Sequence, residues 1–124
     1  PLVPGEDGFV LITGTAQATG STTIVSNAFT AGSAPSTSRI VVFQEDVAST
    51  TINTDIIASV SRDGGSNFTN VTLSDEGYVT GSSGQRILTG VATISGQPSG
   101  TSMRWKLALA NNHSKIHGVS LSWA

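Results

Sequence analysis

The stretch that most restricts the fold runs from Asp55 to Leu73, Asp55-Ile-Ile-Ala-Ser-Val-Ser-Arg-Asp-Gly-Gly-Ser-Asn-Phe-Thr-Asn-Val-Thr-Leu73. Ile57, Ser59 and Ser61 alternate with Ile56, Ala58 and Val60. After the Asp63-Gly64-Gly65 break, Phe68, Val71 and Leu73 resume an apolar rhythm. Glycines at the break supply the positive φ angles a tight reversal needs, and β-branched residues on either side suit a pleated, half-buried surface. The stretch is therefore expected to form a β-hairpin. The rest of the chain repeats this grammar of short strand-like runs and small-residue turns.

Pro1 to Gly8 carries two prolines, two glycines and two acids, which disfavours a regular element and reads as a lead-in arm. The arm is taken to extend through residue 14, with residues 15–124 forming the domain. Phe9 to Thr13 is an apolar run of strand length, and two strands are expected between Phe9 and Phe29, followed by a loop from Thr30 to Ser38. Arg39-Ile-Val-Val-Phe-Gln44 reads as a central strand buried on both faces. Glu45 to Thr51 is expected to connect, Ser74-Asp75-Glu76-Gly77 to turn, and Gly81 to Gly84 to form a flexible loop. Arg86 to Ile94 reads as one strand, or as two joined at a Gly90 bulge. Met103 to Leu109 alternates, placing Met103, Trp105, Leu107 and Leu109 on one inward face. Asn111-Asn112 is expected to reverse the chain, because Asn tolerates left-handed φ. His113 to Trp123 then returns as the last strand, with a possible bulge at Gly118. No stretch carries apolar residues at helical spacing over three turns, so the class is all-β, an antiparallel, jelly-roll-like β-sandwich. Contact between the first and last strands would account for the apolar character of both ends.

The chain has 124 residues, one domain's worth, and contains no cysteine, which removes disulfides, thiolate metal sites and cysteine nucleophiles. Charged residues make up 11 % of it, against about 25 % in an average globular protein. Ser, Thr, Gly and Asn fill the difference. Such a hydroxyl-rich surface is common among extracellular β-proteins and virion proteins, and part of it can be covered by neighbouring subunits. A net charge of −2 with no basic run argues against nucleic-acid binding. No apolar run approaches the roughly 18 residues of a membrane span. The chain begins at Pro1 and not at Met, which leaves a removed leader or longer N-terminal region open.

Ser61-x-Asp63-x-Gly65-x-Asn67-Phe68 resembles the Asp-box, the hairpin motif Ser-x-Asp-x-Gly-x-Thr-Trp of sialidases and other β-propellers. In that motif the Asp bonds turn amides and the aromatic residue tucks under the hairpin. Asn67 stands for the Thr and Phe68 for the Trp, and a single copy makes a structural turn and no propeller. His113 and His117 sit four apart, about 13 Å along a strand, too far to share an ion without a bulge. Asp46, Asp55, Asp63, Asp75 and Glu76 could gather at one end of a sandwich, but no Ca²⁺-loop spacing supports a site. Trp105 and Trp123 fall on inward faces. Tyr78, beside the Asp75/Glu76 turn and a Gly-Ser loop, is the better candidate for stacking on a sugar ring. No nucleophile, base and orienting group present themselves, so no catalytic residue, metal or cofactor is expected and the chain is read as a non-enzyme.

Ser36 to Asp46, Asn53 to Gly65, Ile94 to Met103 and Lys115 to Trp123 together resemble a C-terminal β-sandwich domain of tail-fibre and other virion structural proteins of marine and environmental tailed bacteriophages. The resemblance covers roughly Ile24 to Trp123 and carries turn-and-strand phrases, with no functional residue to transfer. It implies a fibre, spike or capsid-decoration component located in the virion. Its partners would be copies of itself, commonly as a homotrimer, and other virion proteins, with host-surface glycans as a further ligand. The competing reading is a carbohydrate-binding module of a secreted or phage-borne enzyme, with Tyr78, Asp75 and Glu76 near the ligand.

Overall fold

The computed structural model describes residues 8–17, 21–82, 84–110 and 113–124. Among the described residues ten strands follow in order: β1 (Gly8–Gln17), β2 (Thr22–Val25), β3 (Phe29–Thr30), β4 (Thr37–Asp46), β5 (Ile56–Ser61), β6 (Thr69–Val71), β7 (Ser74–Tyr78), β8 (Gln85–Thr93), β9 (Ser102–Leu109) and β10 (Ser114–Trp123). All strand pairings between them are antiparallel, and they form two sheets. The first sheet has the order β1-β10-β4-β8-β7, and the second has β2-β9-β5-β6 with β3 also paired to β9. The protein is an all-β sandwich.

The period of two in the sequence places the core. In β9, Met103, Trp105, Leu107 and Leu109 are buried while Ser102, Arg104, Lys106 and Ala108 are only partly so. Ile40 and Val42 of β4, Leu88 of β8 and Val119, Leu121 and Trp123 of β10 face them from the first sheet, and Ile56, Ala58 and Val60 join them from β5. Each fully buried side chain of this size contributes roughly 1.5–3 kcal/mol relative to leaving it in water. The β5–β6 hairpin occupies the Asp55–Leu73 stretch, with Ala58 opposite Val71 and Val60 opposite Thr69.

Several expectations are corrected. β4 lies between β10 and β8, but only its inner face is sealed: Val41 and Phe43 are half-buried and Arg39 is exposed. A continuous apolar run thus marks a strand central in hydrogen bonding, without a second sheet on its outer face among the described residues. β4 also continues through Glu45 and Asp46, residues read as a connection. Ser74 to Gly77 is not a turn. It belongs to edge strand β7, where Gly77 adopts φ 99° and the pairing to β8 shifts between Asp75 and Tyr78. The turn-like residues build a bulge inside a strand. The reversal follows at Val79 to Gln85, closed by the Val79 N–H to the Gln85 carbonyl at 2.8 Å.

Gly90 makes no bulge either, since β4 and β8 pair without a register shift from Thr37↔Thr93 to Glu45↔Gln85. Its reason is space: a Cβ there would lie 2.3 Å from the Thr72 carbonyl oxygen and 2.6 Å from Val71 Cγ1. β10 does bulge, between Ile116 and Gly118, where Ile116 lies opposite Gln44 and Gly118 opposite Phe43. The N- and C-terminal strands pair directly, from Gly8↔Trp123 to Gln17↔Lys115. β1 passes through Gly14, the position at which the sequence divided arm from domain. Asn111 and Asn112 lie outside the described residues.

The crowding at Gly90 is testable. Gly90→Ala is expected to cost about 1–3 kcal/mol by overpacking β8 against the β6–β7 link, read as a lower urea midpoint at unchanged m-value. An unchanged midpoint would mean that the link moves aside without cost.

Candidate functional site

Strand β7 carries all three ligand candidates. Asp75 pairs with Leu88 and, across the bulge, Tyr78 pairs with Arg86. Cross-strand partners project to one side of a sheet, so Tyr78 and Arg86 share a side. Tyr78 is 68 % exposed. Asp75 is engaged, its Oδ1 accepting from the Gly77 N–H at 2.9 Å and its Oδ2 from Arg86 Nη1 at 3.0 Å. Glu76 Oε2 accepts from the Thr89 hydroxyl at 3.3 Å.

Arg86 is the hub of this end. Its Nη2 donates to Asp46 Oδ1 at 2.8 Å and its Nε to Gln44 Oε1 at 3.1 Å. Gln44 is fully buried and donates through Nε2 to Asp46 Oδ1 and to Ser114 Oγ, each at 2.9 Å. The side chains of Asp46 and Asp75 are 42 % and 38 % exposed. Solvent therefore screens both ion pairs, leaving each worth about 0.2–1 kcal/mol. The stronger constraint is Gln44, whose buried amide oxygen would lose its donor without Arg86.

Each of the two histidines lies beside an acid. His117 Nε2 lies 2.8 Å from Glu45 Oε1, and His113 Nδ1 lies 3.6 Å from Asp55 Oδ2. Asp55 Oδ2 also accepts from the Thr51 N–H at 2.8 Å. Asp63 sits beyond the opposite end of β5 from Asp55. Among the described residues, no three His, Cys, Asp or Glu side chains are grouped to hold a metal ion.

The Asp-box-like segment is a closed turn. Ser61 Oγ donates to Asp63 Oδ1 at 2.7 Å and accepts from the Gly65 N–H at 2.9 Å. Asp63 accepts the Asn67 N–H at 2.9 Å and its side-chain amide at 2.6 Å. The Asn67 amide, then the Ser61 hydroxyl, hold the Asp63 carboxyl below the ordinary carboxylate range. Half-buried Phe68 lies beneath Lys106, whose Nζ is 4.3 Å from the ring centroid. These polar atoms face the turn itself.

One constellation escaped the sequence reading. Arg62, between Ser61 and Asp63, is 8 % exposed and donates to backbone carbonyls only: Pro35 at 2.8 Å, Ser95 at 3.0 Å, Pro98 at 3.1 Å and Gln97. Its own N–H donates to Gln97 Oε1 at 2.8 Å, and Gln97 Nε2 donates to the Val60 carbonyl at 2.8 Å and to Thr69 Oγ1 at 2.9 Å. Ser95-Gly-Gln-Pro98 reads as turn chemistry alone, and no spacing rule connects it to a residue some 35 positions away.

Trp105 and Trp123 are 4 % and 3 % exposed, so of the three aromatic residues weighed for sugar stacking Tyr78 is the open one. Two open grooves lie elsewhere. One of about 250 Å³ is lined by Thr37, Arg39, Val91, Ser122 and Ala124, and one of about 270 Å³ by Thr23, Thr54, Ile57, Ala108 and Ala110. Neither touches Tyr78, Asp75 or Glu76.

No protein-family model and no curated protein matches the chain. Among solved structures, FLHE is similar over 96 % of both chains, at 12 % identity and a TM-score of 0.45. At those values the likeness adds nothing to the architecture or to the function.

Two outcomes follow from this geometry. Arg62→Met should destabilise the protein by about 3 kcal/mol or more, because several carbonyls lose a charged donor. Arg62→Lys should recover little, since an ammonium cannot reproduce the planar fork. A loss under about 1 kcal/mol for Arg62→Met would show that water replaces the guanidinium. The depressed Asp63 pKa stabilises the fold above the unfolded-state value of about 3.9, and this contribution is lost as pH falls through the lower folded value. Thermal melts of Asp63→Asn should therefore decline less steeply than wild type below about pH 4; parallel declines would place the acid-sensitive group elsewhere.

Proposed function

We propose that this domain is a phage virion structural component, a fibre, spike or capsid-surface decoration that assembles as a homo-oligomer. The observation that carries the reading is the use made of the polar side chains. Arg62, Gln97, Gln44, Arg86, Asp63 and Asp75 are all spent on tying strands and turns together. Rigidity of this kind suits a protein whose work lies in its surfaces. The resemblance of four turn-and-strand phrases to virion proteins supports it, as does a chain only 11 % charged.

A second reading, a glycan-binding module, is favoured by Tyr78. It is 68 % exposed, beside an arginine–carboxylate cluster and at a sheet edge, where a sugar ring could stack.

Light scattering across a concentration series tests the first reading, with a stable oligomer as the expected result. A monomer at every concentration would overturn assembly and move the weight to the second. Glycan-array binding that is abolished by Tyr78→Ala would support the second reading; no bound glycan, or full binding by the variant, would remove it.

A further inference from the structure

We infer that the groove at Arg39, on the outer face of the first sheet, binds a carboxylate-bearing sugar, a uronic or sialic acid residue; the assignment rests on the glycan-binding reading and gives it a position distinct from Tyr78. Ser122 of β10, Arg39 of β4 and Val91 of β8 stand in one register row, with Arg39 in the middle. Cross-strand partners project to one side of a sheet. Arg39 and Val91 are both exposed, Val91 at 62 %. The groove over this row has a volume of about 250 Å³ and is lined also by Thr37, Ser38 and Trp123.

Arg39 is the arginine that the fold leaves unused. Arg62 donates to backbone carbonyls, Arg86 to Gln44, Asp46 and Asp75, and Arg104 Nη1 to the Ser26 carbonyl at 2.8 Å. Arg39 makes no hydrogen bond or ion pair among the described residues. Acids on its side of the sheet are engaged elsewhere: Glu45 lies 2.8 Å from His117, and Glu76 accepts from the Thr89 hydroxyl at 3.3 Å. The guanidinium therefore keeps its five N–H donors, and two of them in parallel match the two oxygens of a carboxylate. One fork balances one negative charge, and no second cation lines the groove to balance a phosphate dianion.

The rest of the lining selects what carries the carboxylate. Val91 sets an apolar surface beside the guanidinium, and Thr37 and Ser122 bring hydroxyls to the same groove. A pyranose ring has the complementary make-up, an apolar face bounded by hydroxyls. The groove is smaller than the roughly 300–1,000 Å³ of sites for drug-sized ligands, which suits one sugar ring and not an extended peptide.

The test is an NMR titration of the full chain with sodium glucuronate, galacturonate and N-acetylneuraminate, with acetate and glucose as controls at matched ionic strength. At least one of the three acids should shift the amides of Arg39, Val91 and Ser122, and Arg39→Gln should weaken that binding about tenfold or more. The variant should keep the wild-type fold by circular dichroism, since Arg39 has no internal partner to lose. Lys115→Gln removes the same charge from the far end of β10, opposite Glu45, and should bind as wild type does. Undiminished binding by Arg39→Gln, equal shifts with acetate, or no shift at these three amides with any of the acids overturns the assignment. Shifts confined to Tyr78 and its neighbours overturn it and leave the glycan-binding reading standing. Absence of any bound glycan on an array removes that reading as well.

Discussion

The Arg62 guanidinium is the interaction on which one end of the sandwich depends. Arg62 follows β5, Pro35 leads into β4, and Ser95 to Pro98 connects β8 in one sheet to β9 in the other. A single planar fork therefore fixes the segments through which the chain enters and crosses between sheets. Gln97 extends the clamp by donating to Val60 and Thr69, which pair across the β5–β6 hairpin. A buried cation usually has a carboxylate nearby; here the carbonyl dipoles do that work, and they stay fixed in charge across the pH range. Close packing surrounds the clamp, since a Cβ at Gly100 would lie 2.5 Å from the Arg62 carbonyl oxygen.

The opposite end is closed by different physics. Arg86 spans Asp46 and Asp75, both over a third exposed, while Gln44 and Ser114 beneath them are sealed from water. Screening weakens such pairs as salt rises, whereas bonds to buried carbonyls are little affected. Local opening should begin at the weaker end, which is also where Tyr78 and the Val79–Gln85 reversal lie. An exposed aromatic residue on the less constrained end can adapt to a ligand; the Arg62 end has no such freedom.

What could be read in the sequence was what local patterning determines. The alternation of Met103 to Leu109 gave its buried face directly, because a strand's period of two converts order into orientation. The glycines at Gly64 and Gly65 marked a reversal, and both have positive φ. Ser74 to Gly77 misled because the chemistry that makes a turn also makes a bulge: the Asp75 carboxylate capping the Gly77 amide is compatible with either. Gly90 left one strand and a bulge both open, because a missing side chain looks the same whether the backbone bends or a neighbour needs room; the strand is unbroken. The Arg62 clamp was invisible for a deeper reason. Its acceptors are main-chain carbonyls, which every residue possesses, so their convergence leaves no trace in residue identity.

Low charge shapes what such a sandwich can do with its surface. Val41, Phe43 and Ile87 are half-buried on the outer face of the first sheet and Val91 is exposed, and hydroxyl-bearing residues such as Thr89 and Ser120 are interspersed among them. Threonine favours strands and hydrates through one hydroxyl, keeping a face wet without giving it a field. With a net charge of only −2, copies repel one another weakly at any orientation. Electrostatics then contributes little to selecting how two molecules meet. Selection falls to geometry, to the shape of the face presented and to how each strand edge is built: β7, with its Gly77 bulge and two acids, is an edge that resists pairing with another chain.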